Sequence, residues 1–252
     1  MADLTGRVVL VTGGNGGIGL GMATACAAAG ARIVIWGRDA TKNDMAVAEL
    51  RAQGTTADAF VCDVTDPDAV AETMAQSVRT AGRLDAVFAN AGATGRGVPF
   101  LDLDLAEWRR VVNTNLEGTF LTLQAAARHL IEQGEGGSLV VNSSVSAIHG
   151  AAGNEAYGTS KTALLGLVRA LAVGLARHRI RVNALLPGWT LTDMSGAGYA
   201  NERFRTATTG RTPVRRWADP SEMGPAAVYL ADPTVTFHTG DTMVVDGGYS
   251  VF

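Results

Sequence analysis

Cysteine is close to absent from this chain. Cys26 and Cys62 are its only two among 252 residues. One falls in an alanine-rich stretch and the other ends a strand-like run, so both are expected to be buried thiols and not a disulfide. Histidine is scarce as well. His129, His149, His178 and His238 are scattered without metal-ligand spacing, and no metal site is expected. A net charge of −3 offers no electropositive field for nucleic acid. The opening "MADLTGRVVLVTGG" lacks the basic-then-apolar layout of a secretion signal, and no apolar run reads as long enough to cross a bilayer. These absences point to a cytoplasmic protein with no membrane or nucleic-acid partner.

What the chain has in quantity is apolar residue and glycine: 47% hydrophobic against 18% charged, with 31 glycines. That balance supports a large core and argues against disorder. A length of 252 residues suits one domain better than two, so a single domain over 1–252 is expected. Short β-branched runs alternate with longer helix-compatible stretches. "RVVLVT" (7–12), "RIVIW" (32–36), "DAFVC" (58–62), "LDAVFA" (84–89), "SLVVNS" (138–143), "IRVNALL" (180–186) and "MVVD" (243–246) read as strands. Most are apolar on both faces, as buried parallel strands are. Helices are expected over 17–29, 40–53, 67–81, 104–133 and 155–178. Strand alternating with helix implies right-handed crossovers, hence an α/β fold with a doubly wound, parallel, seven-stranded sheet and helices on both faces. No repeat, low-complexity tract or linker interrupts the pattern. The irregular stretch 188–219 is too long for an ordinary connection and is expected to cover the substrate.

Two motifs carry chemistry. "VTGGNGGIG" follows the first strand and opens the first helix. Glycines there let the backbone turn sharply and approach a pyrophosphate, whose charge meets the amides at the helix N-terminus. Taken alone such a turn is also compatible with simple chain reversal. Its place inside a strand–helix–strand unit favours nucleotide binding. The second motif is "NEAYGTSKTALLGLV", an apolar helix that begins with Tyr157 and Lys161. Residues four apart share a helix face, so phenol and ammonium project together. Taken alone, the pair equally fits polar decoration of an exposed first turn.

Together the motifs are specific. T-G-x-x-x-G-x-G after the first strand, with a later Y-x-x-x-K, resembles the short-chain dehydrogenase/reductase family, and ordered matches run from Arg7 to Gly248. The resemblance implies a Rossmann fold and a reaction in which hydride passes between a nicotinamide cofactor and a secondary alcohol or ketone. Gly13, Asn15, Gly17, Ile18 and Gly19 are then expected around the pyrophosphate. "CDVTD" puts Asp63 and Val64 at the adenine. "ANAG" supplies Asn90, Ala91 and Gly92, with Ala89 where the family usually has asparagine. "PGWTLT" brings Pro187, Gly188, Thr190 and Thr192 to the nicotinamide. The implied catalytic residues are Asn115, Ser144, Tyr157 and Lys161. Tyr157 exchanges the proton, and Ser144 stabilises the substrate oxygen. Lys161 lowers the phenol's pKa and holds the ribose, and Asn115 holds a water that links Lys161 to solvent. Ser143 competes with Ser144, and the register favours Ser144. A phenol that must work three units below its ordinary pKa needs roughly 4 kcal/mol of preference for the phenolate. Homotetramers are usual in the family, and long apolar helices here agree with that.

The cofactor's identity is argued from the end of the second strand. Asp39 lies about where an acid contacts the ribose of NAD. In "RIVIWGRD", however, the strand-end position is Gly37, which leaves room for a 2′-phosphate, and Arg38 follows with a planar donor fork. NADP is therefore expected over NAD, with solvated Arg38 the bland alternative. The substrate pocket is expected from 93–99, 146–154, Trp189 and 193–212, with His149, Met194 and Tyr199 giving it mixed character. Keto-thioester, sugar or polyol, and simple carbonyl substrates stay open. So does a non-catalytic nucleotide sensor, although its expected damage to the tyrosine, lysine or serine is missing. Asp85, Asp102, Asp104 and Glu107 read as capping or solvated acids. Arg128 and 177–179 read either as solvated helix ends or as a dock for an acidic carrier.

Overall fold

The structure, a computed structural model, describes residues 2–252. Seven strands form one parallel sheet: β1 (Val8–Thr12), β2 (Arg32–Gly37), β3 (Ala57–Val61), β4 (Ala86–Ala89), β5 (Gly137–Asn142), β6 (Ile180–Pro187) and β7 (Thr242–Val245), in the order β3-β2-β1-β4-β5-β6-β7. Connecting them are α1 (Gly17–Ala28), α2 (Ala40–Ala52), α3 (Pro67–Ala81), α4 (Leu105–Val112), α5 (Gly118–Gln133), α6 (Glu155–Leu175), α7 (Gly196–Ala200), α8 (Glu202–Arg211) and α9 (Gly224–Ala231).

The two-residue period of the strands builds two cores. Val8, Leu10, Val34, Trp36, Val87, Leu139 and Val141 point to one face, where α3, α5 and α6 add Met74, Leu123, Leu130, Leu164 and Val168. Val9, Val11, Ile33, Ile35, Phe88 and Val140 point to the other, against Met22, Cys26, Leu50 and Leu230 of α1, α2 and α9. Strands this thoroughly buried must be apolar on both sides, which is why β1, β4 and β6 read as near-continuous aliphatic runs. Strand order reverses between β1 and β4, and the C-terminal ends flanking that switch point form the crevice where doubly wound sheets take ligands. Cys26 and Cys62 are both buried and unpaired, as expected.

Acidic side chains start several helices. Asp39 accepts from Lys42 N at 3.1 Å to cap α2. Asp66 caps α3, whose first residue is Pro67. Asp104 caps α4.

Three expectations change. The single helix over 104–133 is two helices joined by a wider turn at Asn113–Glu117, whose hydrogen bonds span five residues. The stretch 188–219 contains α7 and α8, and the apolar α9 follows it. Its entry was signalled by "DPSE": Asp219 and Glu222 close a capping box around Pro220. Finally, Glu155–His178 is, among the described residues, one helix long and apolar enough to span a membrane by length and composition. It packs on the sheet through Ala156, Leu164, Leu165, Val168 and Ala172.

Glu107 is also not the solvated acid its sequence suggests. It is 4% exposed, accepts from Arg96 N at 3.0 Å, and receives Arg110 Nε at 2.7 Å. The Arg110 guanidinium leads in holding its carboxyl down at about 2, against burial. A carboxyl depressed in the folded state stabilises above its ordinary pKa near 4.5 and loses that contribution as pH falls toward 2. Glu107→Gln is therefore expected to lower Tm at pH 7. Between pH 4.5 and 2 the gap between native and variant Tm should close, as circular dichroism melts across that range will show.

Candidate active site

The crevice begins with the glycine turn. Gly13 and Gly17 have φ of +62° and +50°, which side chains rarely adopt. A Cβ on Gly19 would lie 2.2 Å from Gly13 O and 2.5 Å from Asn90 Nδ2, so α1 can approach the turn only with glycine there. Gly16, by contrast, faces open space. Asn90 braces the turn from β4. Its Nδ2 donates to Thr12 O at 2.9 Å and Gly13 O at 3.2 Å. Thr12 Oγ1 accepts from Asn90 N and Ala91 N, each at 3.0 Å. The result is an open concavity beside the N-terminus of α1, suited to a pyrophosphate.

At the end of β2, exposed Asp39 caps α2, its Oδ1 accepting from Lys42 N. Gly37 has a role the sequence did not show. A Cβ there would meet Asn15 Nδ2 and Asn43 Oδ1, so the glycine admits an amide pair, with Asn15 Nδ2 donating to Asn43 Oδ1 at 2.8 Å. The expected room for a phosphate beside Gly37 is thus filled by side chains. Arg38 is exposed, and among the described residues no carboxylate lies within ion-pair distance of it. Burial disfavours the charged form of Asp63, but hydrogen bonds from Thr65 and the charge of Arg38 bring its pKa below the ordinary value. Val64 is buried against Gly118.

The catalytic candidates converge at the ends of β5 and α6. The two serines stand in different surroundings. Ser143 is buried and donates to Lys161 O at 2.9 Å, whereas the Ser144 hydroxyl accepts from Ser146 N at 3.1 Å and stands close enough to Tyr157 to favour its phenolate. Lys161 is 4% exposed and donates from Nζ to Asn142 O at 2.8 Å. Its Nζ stands 5.6 Å from the centre of the Tyr157 ring. Burial pushes the lysine down to about 8. Burial also raises the Tyr157 phenol above its ordinary value, with the Ser144 hydrogen bond working the other way. The expected lowering of the phenol by Lys161 is therefore not present in the protein alone. Because Lys161 sits near 8 when folded and near 10.5 when free, its contribution to stability grows as pH rises between those values.

Asn115 occupies the wide turn, fully buried. Its Oδ1 accepts from Ala93 N at 2.7 Å, and its Nδ2 donates to Ala93 O and Ser160 Oγ, both at 3.0 Å. A Cβ on Gly92 would fall 3.2 Å from that Oδ1 and 3.7 Å from Lys161 Nζ. Gly92 therefore keeps a gap open between the amide and the ammonium.

The far wall is built by 187–192. A Cβ on Gly188 would strike Asp246 Cα, and Thr192 lies within 3.0 Å of the Cβ position on Gly17, so this turn folds back over the glycine turn. Ser195, which sequence reasoning missed, ties it together: Oγ donates to Thr190 O at 2.6 Å and accepts from Thr192 N at 3.0 Å. Lys42 Nζ reaches Asp193 at 2.9 Å on the surface. Beyond the turn stands an aromatic cluster. Trp189 stacks on Trp217 with centroids 5.0 Å apart, and Tyr249 meets His149 and Trp189 edge-on at 5.8 and 6.4 Å. Tyr249, contributed by the C-terminal segment, was also not anticipated. Loops 93–99 and 146–154 meet at Gly97 and Gly153. Met194 is half exposed and Tyr199 packs on Trp217. A cavity of about 610 Å³ elsewhere in the segment is lined by Arg205, Arg215 and neighbours, and by none of Ser144, Tyr157 or Lys161. Arg179 donates to Gly134 O at the end of α5, and Arg177 to His178, which accounts for that basic run structurally.

The chain matches, over residues 13–250, the family model described as enoyl-(acyl carrier protein) reductase. It is 36% identical over 249 residues to a gluconate 5-dehydrogenase of Gluconobacter oxydans, covering 99% of this chain and 96% of that one. It is 40% identical over 260 residues to a sorbose reductase of Schizosaccharomyces pombe, covering 99% and 98%. A crystal structure of a gluconate 5-dehydrogenase from Burkholderia cenocepacia, in complex with NADP and tartrate, superimposes with a TM-score of 0.94 at 32% identity over 99% of this chain and 97% of that one.

Filling the gap at Gly92 tests the geometry directly. Gly92→Ala is expected to fold with a Tm near that of the native protein and to reduce kcat about tenfold, with the cofactor Kd little changed. Stopped-flow turnover alongside fluorescence titration of NADPH will separate the two.

Proposed function

The chain belongs to the short-chain dehydrogenase/reductase family, and from this membership and the site's geometry we infer the roles of its residues, its cofactor and its substrate class. It is an NAD(P)-dependent oxidoreductase that interconverts a secondary alcohol and a ketone. The cradle fits that cofactor: Gly16 faces open space beside the amides of α1, Thr192 closes over Gly17, and the unpaired Arg38 stands at the end of β2. When bound, the nicotinamide supplies the hydride donor or acceptor. NADP is our reading over NAD. Asp39 is spent on its helix, and Arg38 offers charge-assisted donors to a 2′-phosphate.

The chain's own groups handle the proton. Tyr157 Oη gives its proton to the ketone oxygen as the C–H bond forms, or takes it from the alcohol as that bond breaks. Ser144 Oγ donates a hydrogen bond to the same oxygen and stabilises its developing charge. Lys161 Nζ, held by Asn142 O, contributes a fixed positive charge and a donor toward the ribose. Asn115 fixes Ala93 and keeps one lone pair of Oδ1 facing the gap at Gly92, where a water linking Lys161 to solvent fits. Pro187, Gly188, Thr190 and Thr192 hold the nicotinamide amide, and the 188–219 segment covers the substrate. The observation that carries this reading is the meeting of Ser144, Tyr157 and Lys161 beside the open glycine cradle.

The substrate class we propose is a polyhydroxylated ketone or its alcohol, of the sugar, polyol or sugar-acid kind. It is supported by the names of the gluconate 5-dehydrogenase and sorbose reductase relatives and by the mixed polar and aromatic wall. The buried free thiols suit a reducing cytoplasm. Exposed apolar side chains on α5 and α6, such as Phe120, Ile131 and Val173, support a homotetramer, which size-exclusion chromatography with light scattering will test.

Two substitutions test the core of the proposal. Tyr157→Phe is expected to lower kcat by about 10²–10⁴ while leaving cofactor binding in place; parental turnover would refute the proton-transfer role. Arg38→Ala is expected to raise the NADP KM about tenfold and leave the NAD KM unchanged. A panel of L-sorbose, 5-keto-D-gluconate and an acetoacetyl thioester, read at the NADPH absorbance, decides the class. Preference for the thioester would overturn it.

A further inference from the structure

Residues 93–97 follow β4 and Gly92, whose Cβ position lies 3.7 Å from Lys161 Nζ. Among the described residues no backbone-to-backbone hydrogen bond holds this loop. Side chains hold it instead. From one side, Asn115 Oδ1 accepts from Ala93 N at 2.7 Å, and its Nδ2 donates to Ala93 O at 3.0 Å. From α4, Arg110 Nη2 donates to Thr94 O at 2.7 Å, and Glu107 Oε1 accepts from Arg96 N at 3.0 Å. At the far end, a Cβ on Gly153 would stand 3.5 Å from Gly97 O. Gly153 N in turn donates to Glu155 Oε1, at the start of the helix that carries Tyr157.

Glu107 and Arg110 act as one unit. Arg110 Nε donates to Glu107 Oε2 at 2.7 Å and Nη2 to Glu107 Oε1 at 2.8 Å, the parallel fork of a bidentate pair. The same Nη2 reaches Thr94 O, so the plane of the guanidinium sets carboxylate and loop at a fixed distance. The start of α4 does not need the pair, because Asp104 already caps it. Stability does not account for it either. The Glu107 side chain is 3% exposed, and a buried ion pair gains little over an apolar pair of like volume. What this pair supplies is placement of Thr94 and Arg96.

We propose that Glu107 and Arg110 are positioning residues for the reaction, holding the 93–97 loop so that Gly92 and Asn115 keep their spacing from Lys161. The proposal rests on the reading that this crevice interconverts a ketone and an alcohol. Neither residue touches the reacting atoms. Asn115 clamps the first residue of the loop, and the α4 pair clamps the residues that follow. With the outer clamp gone, the loop hangs on the Asn115 amide alone, and the gap between that amide and the ammonium changes width. A misplacement of that size costs rate without unfolding the chain.

The test compares full-length Glu107→Gln and Arg110→Lys with Asp85→Asn. Asp85 is a half-buried carboxylate that accepts from Arg7 and Arg83 just before β4, at the end of the strand away from the crevice. All three variants are expected to melt below the native protein by circular dichroism. Turnover is read well below the lowest Tm, with NADPH and the best ketone among L-sorbose, 5-keto-D-gluconate and an acetoacetyl thioester. Glu107→Gln and Arg110→Lys should each lower kcat about tenfold, while NADPH binds with native stoichiometry and a Kd within about twofold of native. Asp85→Asn should keep native kcat. Combining Glu107→Gln with Gly92→Ala should lower kcat by less than the product of the single losses, because both act on one gap. Native kcat in either folded α4 variant, an equal loss in Asp85→Asn, or losses that multiply in full would overturn the proposal. Should one α4 variant fail to fold, the other carries the comparison. A native protein that reduces no ketone of the three removes the underlying reading, and this proposal with it.

Discussion

The active crevice depends on one reciprocal pair of hydrogen bonds between β5 and α6. Lys161 sends its ammonium to Asn142 O, and Ser143 sends its hydroxyl to Lys161 O. One bond runs from helix to strand and the other from strand to helix, so neither element can slide or turn without breaking both. Burying an ammonium costs several kcal/mol unless it is well partnered, and the depressed pKa of Lys161 records that cost. In return, the residue after Ser143 is fixed opposite the residue four before Lys161. Ser144 and Tyr157 meet because Ser143 and Lys161 do.

A second network ties this pair to the cofactor cradle. Asn142 Nδ2 donates to Asn90 Oδ1 at 2.7 Å, and Asn90 in turn holds Thr12 O and Gly13 O. The C-terminal ends of β1, β4 and β5 are therefore joined by side-chain amides across the switch point. Low-dielectric surroundings strengthen each bond of such a chain, although Asn142 Oδ1 at its end is buried without a partner. The cradle and the catalytic groups share one frame, and a hydride and a proton must arrive at atoms of the same substrate within a fraction of an ångström.

Much of this was legible from the residues alone. Aliphatic runs announced all seven strands, and a serine–tyrosine–lysine spacing supplied the candidate site. Ser144 was preferred to Ser143 on register, and in the structure Ser143 is the one turned inward to Lys161 O. Other features were hidden for physical reasons. The wide turn at Asn113–Glu117 changes the hydrogen-bond span without disturbing the apolar period, so 104–133 looks like one helix. Glu107 looked solvated because its arginine partner on α4 and the Arg96 amide gather only in the folded loop. Gly37 was read for what it would admit from outside, whereas two asparagines distant in sequence already fill that space.

The stretch over the crevice is stapled where it leaves and rejoins the sheet. Leu191 N donates to Ala218 O and Ala218 N to Trp189 O, while Thr190 and Ala218 pair as a small parallel bridge. Its two ends are thus held side by side whatever the chain does between them. Because the entropy of closing a loop grows only slowly with its length, insertions or deletions between those ends would leave β6 and α9 where they are. The excursion behaves as an interchangeable cartridge: a lineage of such enzymes can trade one pocket for another while the sheet, the proton path and the nucleotide cradle are inherited intact.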